Sequence, residues 1–298
     1  MNSFIITTDS GCDLPLQELQ KHNIIPFLLQ YEIDGQMYTD TMLHADCHVF
    51  YEKMRAGAAP HTSQINAQQF VDFWRPMLAE GLPIVHISLG SGVSGTAHNG
   101  ALAAEQLAEE CPGAKIYVVD SILCSVGYGM LALKAAELRD AGESAEATRD
   151  WLEAHKIEVN TWYTTDELKY LRRSGRCSRA SASIGTMLQI CPILNLDAEG
   201  HLIVQERVRK LRPTIRRIHE IVGSLVENAG EQTLYICHSD IPEQAREFGE
   251  SLKNTFGFRD VYYTYIGTTI GSHCGPGLMA AFFFGKPRTM AGYVKEEN

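Results

Sequence analysis

Ser94 stands in Gly90-Ser91-Gly92-Val93-Ser94-Gly95-Thr96, a loop of glycines and hydroxyls. An apolar run, Ile84 to Leu89, precedes it and an Ala-rich stretch, Ala97 to Glu109, follows. Strand, small-residue turn and helix in that order leave N–H groups and hydroxyls free at a helix start, which attracts anions. Two other loops carry similar residue types. Pro60-His61-Thr62-Ser63-Gln64 offers two hydroxyls, and Ile266 to Gly277 (IGTTIGSHCGPG) places His273 among glycines. Thr62, Ser94 and His273 would each donate to a carboxylate or phosphate. Taken singly, each also suits an ordinary turn or cap.

Two catalytic chemistries compete with a non-catalytic anion seat. Gly90, Gly92 and Gly95 satisfy G-x-G-x-x-G, and Asp120 ends the next predicted strand, where a ribose-binding acid of an NAD enzyme would lie. Ser94 in G-V-S-G-T is one residue from a serine-hydrolase elbow, with His273 as base and Asp9, Asp120 or Asp240 as orienter. A kinase or ATPase is disfavoured, because Thr96 holds the place where a P-loop needs lysine.

The elements that would position these loops alternate. A strand, Phe4 to Thr8, ends in Asp9 and Ser10, at the carboxyl edge where α/β sheets keep their clefts. Leu14 to His22 reads as a helix, Ile24 to Leu29 and Tyr31 to Ile33 as extended, with Asp34-Gly35 as a hairpin turn. A helix over 46–55 follows. Asn66 caps a helix with Phe70, Trp74, Met77 and Leu78 on one face, which Pro76 should kink or end early. Lys115 to Asp120 reads as a strand, and 127–141 and 145–155 as helices. Alternation of this kind indicates a mostly parallel layered sheet. The second half begins with an extended VNTWYTT and a basic segment, Leu168 to Arg179, followed by a short helix to Gln189. Ile193 to Leu196 and Leu202 to Val208 form a predicted antiparallel hairpin. Helices over 213–225 and 242–254 flank a strand at 233–238, and a strand at 261–266 leads to a predicted final apolar helix, Leu278 to Phe284. The expectation is an α/β chain of two domains, residues 1–158 with a mostly parallel sheet and residues 159–298 with a mixed or antiparallel one.

The bulk numbers bound the function. A net charge of -10 over 298 residues argues against a nucleic-acid partner. Against that acidity, Arg172, Arg173, Arg176, Arg179, Arg207, Arg209, Lys210 and Arg212 form a basic run that suits an anionic partner surface or transient contact with an anionic membrane. The eight cysteines show no C-x-x-C pair and no zinc spacing, so no metal is expected and free thiols are. With neither a signal peptide nor a membrane-length apolar run, a soluble cytoplasmic protein is expected.

Taken in order, the motifs resemble those of the DegV family, which includes the bacterial fatty-acid-binding subunits called FakB. They are TDSGCDLP (8–15), HTSQ (61–64), ISLGSGVSGT (87–96), VVDS (118–121), LKYLRRSGR (168–176), CPILNLDAEG (191–200), ERVR (206–209) and IGSHCGPG (270–277). The resemblance implies two α/β domains with a long acyl chain buried between or within them, and no cofactor. It implies that Thr62, Ser94 and His273 hold the carboxylate, with Ser63 a neighbour. It further implies a non-catalytic subunit that presents its lipid to a separate kinase, which makes the acyl phosphate with ATP. Arg176 and Arg209 fall where the family docks that kinase, although Ser174 stands for a usual glycine and Arg207 for a usual lysine.

Overall fold

In a computed structural model the chain is described over residues 3–165, 168–176 and 190–290. Four parallel strands form the first sheet in the order β2-β1-β6-β7: β1 Ile5–Asp9, β2 Ile24–Phe27, β6 Ile84–Ser88 and β7 Ile116–Asp120. Both central strands, β1 and β6, are buried along their whole length, as a parallel sheet covered by helices requires. Helix α3 (Ala67–Leu78) and helix α4 (Thr96–Glu110) cover one face through Phe70, Trp74, Ala103 and Leu107. Asn66 caps α3 in a full capping box with Gln69. Pro76 lies inside the helix, which closes two residues later at Leu78.

The predicted Asp34-Gly35 turn joins β3 (Gln30–Ile33) to β4 (Gln36–Thr39), with φ of 52° and 79° at the two turn residues. Gly35 suits that left-handed backbone. The loop at His61–Thr62 is a short strand, β5, that pairs Thr62 with Tyr31 and fixes where the Thr62 side chain starts. Helix α1 (Leu16–Lys21) and helix α2 (His44–Arg55) complete this half.

The second sheet is mixed, in the order β10-β9-β8-β13-β11-β12. Its strands are β8 Val159–Thr165, β9 Ile190–Leu196, β10 Leu202–Arg209, β11 Thr233–His238, β12 Asp260–Tyr265 and β13 Leu278–Phe284. Here the expectation for Leu278 to Phe284 is corrected: it is a strand, not a helix. It lies between β8 and β11, antiparallel to both, with both faces covered. A strand buried on both faces is apolar throughout, so its pattern carries no alternation to separate it from a buried helix. The second correction concerns the glycine-rich segment before it. Thr268–Cys274 is a short helix, α10, not a loop. Helices α7 (Leu168–Ser174), α8 (Leu211–Leu225) and α9 (Pro242–Phe256) complete this half. The predicted helix up to Gln189, Cys177, Arg179 and the charged tail lie outside the described residues.

Helix α5 (Val126–Asp140) sits between the two sheets, and α6 (Ala145–His155) lies beside it. The side chains of α5 are buried nearly all round, and one core cluster joins Ile6 and Val85 of the first sheet to Leu194 and Phe282 of the second through it. A Cβ on Gly129 would come within 2.8 Å of the Cys12 carbonyl, so this helix approaches its neighbours at backbone distance. The architecture is a two-domain α/β fold, one sheet parallel and one mixed. Among the described residues no helix is long and apolar enough to cross a membrane.

Candidate functional site

A cavity of about 400 Å³ opens where the segments after β2, β6 and β7 meet the second sheet. That volume falls within the usual range for small-molecule sites. Its walls are mostly apolar: Leu29 and Leu89 from the first half, Leu194, Leu202 and Leu278 from the second, and Ile270 from α10. Thr62, Ser63, Ser94, His273 and Arg176 all line it.

Hydrogen bonds tie Thr62 to His273 and the Thr62 loop to the Ser94 loop. Thr62 Oγ1 and His273 Nε2 are 2.8 Å apart, although 211 positions separate them in the chain. Ser94 Oγ lies 2.9 Å from Thr96 Oγ1 and accepts from the Thr96 N–H. The Gly95 N–H donates to Gln64 Oε1 at 3.1 Å, tying the Thr62 loop to the Ser94 loop. Gln64 and Thr96 are members of the site that the sequence reading did not single out. Their signal was present, since both stand inside the quoted motifs beside the chosen hydroxyls.

The electrostatics suit an anion. Burial, reinforced by Arg176, Arg173 and His61, holds the His273 imidazole down at about 4. At neutral pH it is uncharged and offers one N–H, next to hydroxyls that carry no charge. Arg176 is exposed and lines the cavity beside Ser174. Arg209 ends β10, exposed, opposite Ile190, and does not line the cavity.

The two catalytic readings find no support in this geometry. Ser94 is hydrogen-bonded to Thr96 rather than to His273, and the ring nitrogen of His273 meets Thr62. None of the three proposed orienters bonds His273. Asp9 accepts from Tyr128, Gly11 and Leu89, Asp120 from the Ser91 and Ile122 amides, and Asp240 pairs with His48 and Arg55. The glycines of the G-x-G-x-x-G pattern serve close packing. A Cβ on Gly90 would strike the Leu123 backbone at 2.6 Å, and one on Gly92 the Gly200 backbone at 2.3 Å. The space that a pyrophosphate would need against Gly92 is therefore filled by the β9–β10 turn. Asp120, committed to two amides, is not free for a ribose. Among the described residues no cluster of three or more His, Cys, Asp or Glu is arranged to hold a metal ion.

Comparison with known proteins agrees with this frame. Residues 3–286 match the family described as "Uncharacterised protein, DegV family". A DegV domain-containing protein of Clostridium perfringens is 33% identical over 286 residues, spanning 96% of this chain and 98% of that one. The crystal structure of DegV from Bacillus subtilis, described as a fatty acid binding protein, superposes with a TM-score of 0.83 at 28% identity, over 96% of this chain and 100% of that one. A Thermus thermophilus structure, described as fatty acid binding of a DegV family protein, gives 0.82 at 27% identity over the same shares. The parallel and mixed sheets, the cavity between them and the match across nearly the whole length lead to one conclusion: the chain belongs to the DegV family.

Proposed function

We propose that this protein binds a long-chain fatty acid in the cavity between its two sheets, with the carboxylate on Thr62, Ser94 and His273 and with Ser63 beside them. The observation that carries this reading is the composition of the cavity wall: one hydrogen-bonded polar patch drawn from three segments, and apolar side chains over most of the rest. Burying a carboxylate without donors is costly, and the patch supplies donors without a fixed charge in direct contact. The apolar wall then supplies affinity at roughly 0.8 kcal/mol for each buried methylene. The Bacillus and Thermus relatives described as fatty acid binding support the assignment.

The protein in this reading is not an enzyme and needs no cofactor. It presents the carboxylate to a fatty acid kinase subunit that brings ATP and forms the acyl phosphate. Arg176 beside the cavity and Arg209 at the end of β10 face that partner, the exposed basic surface makes transient contact with anionic membranes, and the protein works in the cytoplasm. We place the domain boundary at residues 158/159, between the last residue before β8 and its first.

Native mass spectrometry of the protein purified from cells tests the central claim. The expected spectrum carries an added lipid-sized mass; its absence, with no uptake of palmitate afterwards, would rule the reading out. A second expected result concerns His273. In ligand-free protein its ring should titrate at about 4, below the ordinary 6.5. A bound carboxylate favours the imidazolium and raises that value. The complex then holds more proton than the free protein, so affinity rises as the pH falls from neutrality toward the ligand's own pKa. An NMR titration of the His273 Cε1–H with and without palmitate reads this, and an unmoved pKa contradicts contact between the two groups.

A further inference from the structure

Two of the three segments that bear the proposed carboxylate seat, the Ser94 loop and the His273 helix, are tied to buried aspartates. Asp9, the last residue of β1, accepts the Leu89 N–H at 3.3 Å, at the start of the Ser94 loop. Asp13 accepts the Gly267 N–H at 2.8 Å, at the cap of the helix that carries His273. Asp40 accepts from both the N–H and the hydroxyl of Thr269, at 3.3 and 3.0 Å, one turn before His273. The three carboxyl groups are almost wholly shielded from solvent, with 0%, 5% and 1% of their residues exposed.

The fit around them is close. A Cβ on Gly267 would meet an Asp13 oxygen at 2.8 Å and an Asp40 oxygen at 3.3 Å, so the helix start rests directly on the pair. Asp13 also accepts from the Ser125 hydroxyl at 2.5 Å. Ser125 lines the cavity with φ of 56°, a backbone that a serine rarely adopts. The groups that act most on the three carboxyls are amides, hydroxyls and one another.

Resting on the fatty-acid reading above, we propose that Asp9, Asp13 and Asp40 are positioning residues of the carboxylate seat: they fasten the Ser94 loop and the His273 helix to one buried point and so hold the two sides of the seat at the spacing a carboxylate needs. Burial raises all three, Asp9 to about 6. The seat's own residues come from β5, the β6–α4 loop and α10, and nothing local in the chain sets their separation. A common anchor does.

The test compares palmitate with hexadecanol, an equally long ligand without the carboxylate, in wild type, Asp13→Asn and Asp40→Asn. An amide keeps the size of the carboxyl but turns an N–H toward donors. The expected result is an acid-over-alcohol preference reduced about tenfold, the scale of one charged hydrogen bond spoiled, with hexadecanol affinity unchanged and the His273 Cε1–H resonance displaced. Wild-type preference retained in folded variants, or acid and alcohol weakened in parallel, overturns the proposal. Should either Asn variant fail to fold, Thr269→Val, which removes one bond to Asp40 and puts a methyl in place of a hydroxyl of the cavity lining, decides by the acid-over-alcohol preference alone. A wild type that binds neither ligand refutes the fatty-acid reading itself, an outcome distinct from variants that keep a preference the wild type shows.

Discussion

Palmitate should bind roughly four orders of magnitude more tightly than octanoate. The two acids share a carboxylate and differ by about eight methylenes, each worth roughly 0.8 kcal/mol when buried. That sums to about 6 kcal/mol, and about 1.4 kcal/mol is a decade in Kd. Leu29, Leu89, Leu194, Leu202, Ile270 and Leu278 provide the apolar wall that each added methylene meets. A displacement titration over a homologous series of acids measures it. The affinity should climb steadily with length and level off where the cavity is full. A flat series would show that the chain lies outside, and the cavity would then serve some small polar anion instead.

His273→Ala should weaken palmitate binding roughly tenfold to a hundredfold and leave hexadecanol nearly untouched. A hydrogen bond to a charged group is worth about 1.5–3 kcal/mol. The substitution also takes away the partner that Thr62 Oγ1 has at 2.8 Å, so the hydroxyl is freed to rotate from its aim. Thr62→Val should give a smaller loss of the same kind. Calorimetry on both ligands separates the seat from the wall: a fall in hexadecanol affinity equal to that for palmitate would mean that the histidine only supports the packing of α10.

Much of the fold was legible because local rules dominate there. The capping box at Asn66 and Gln69 and the Asp34-Gly35 turn are short-range devices, and the structure keeps both. The β6, glycine loop and α4 sequence was legible for the same reason. Legibility failed where tertiary burial overrides pattern. The run from Leu278 to Phe284 looks the same as helix or strand until its neighbours β8 and β11 are known. The helix at Thr268–Cys274 was hidden by Gly267, Gly271 and Gly275, residues that normally break helices. A Cβ on Gly271 would come within 2.4 Å of the Tyr51 hydroxyl, so that glycine answers to packing rather than to local conformation.

The site divides in the same way. Hydroxyls and a histidine in irregular loops suggested an anion seat, but the choice of Thr62, Ser94 and His273 came from motif order across the chain. No spacing rule joins residues 211 positions apart. Of the two aspartates of TDSGCD, only Asp9 stood out in the sequence, at a strand end. Their reach to Leu89 and Gly267 depends on how β1 sits beside β6 and against α10, which is a property of the assembled chain.

The burial of α5 has a mechanical consequence. Prising the two sheets apart would wet Val126, Tyr128, Met130 and Leu131 together with the Leu194 and Phe282 that close over them. At roughly 1.5–3 kcal/mol for each large apolar side chain, the total is on the order of 10 kcal/mol, comparable with the entire net stability of a typical domain. Hinge opening would thus amount to denaturation. In the proposed lipid-binding role, a fatty acid would then enter and leave by small displacements at the cavity rim rather than by separation of the two lobes.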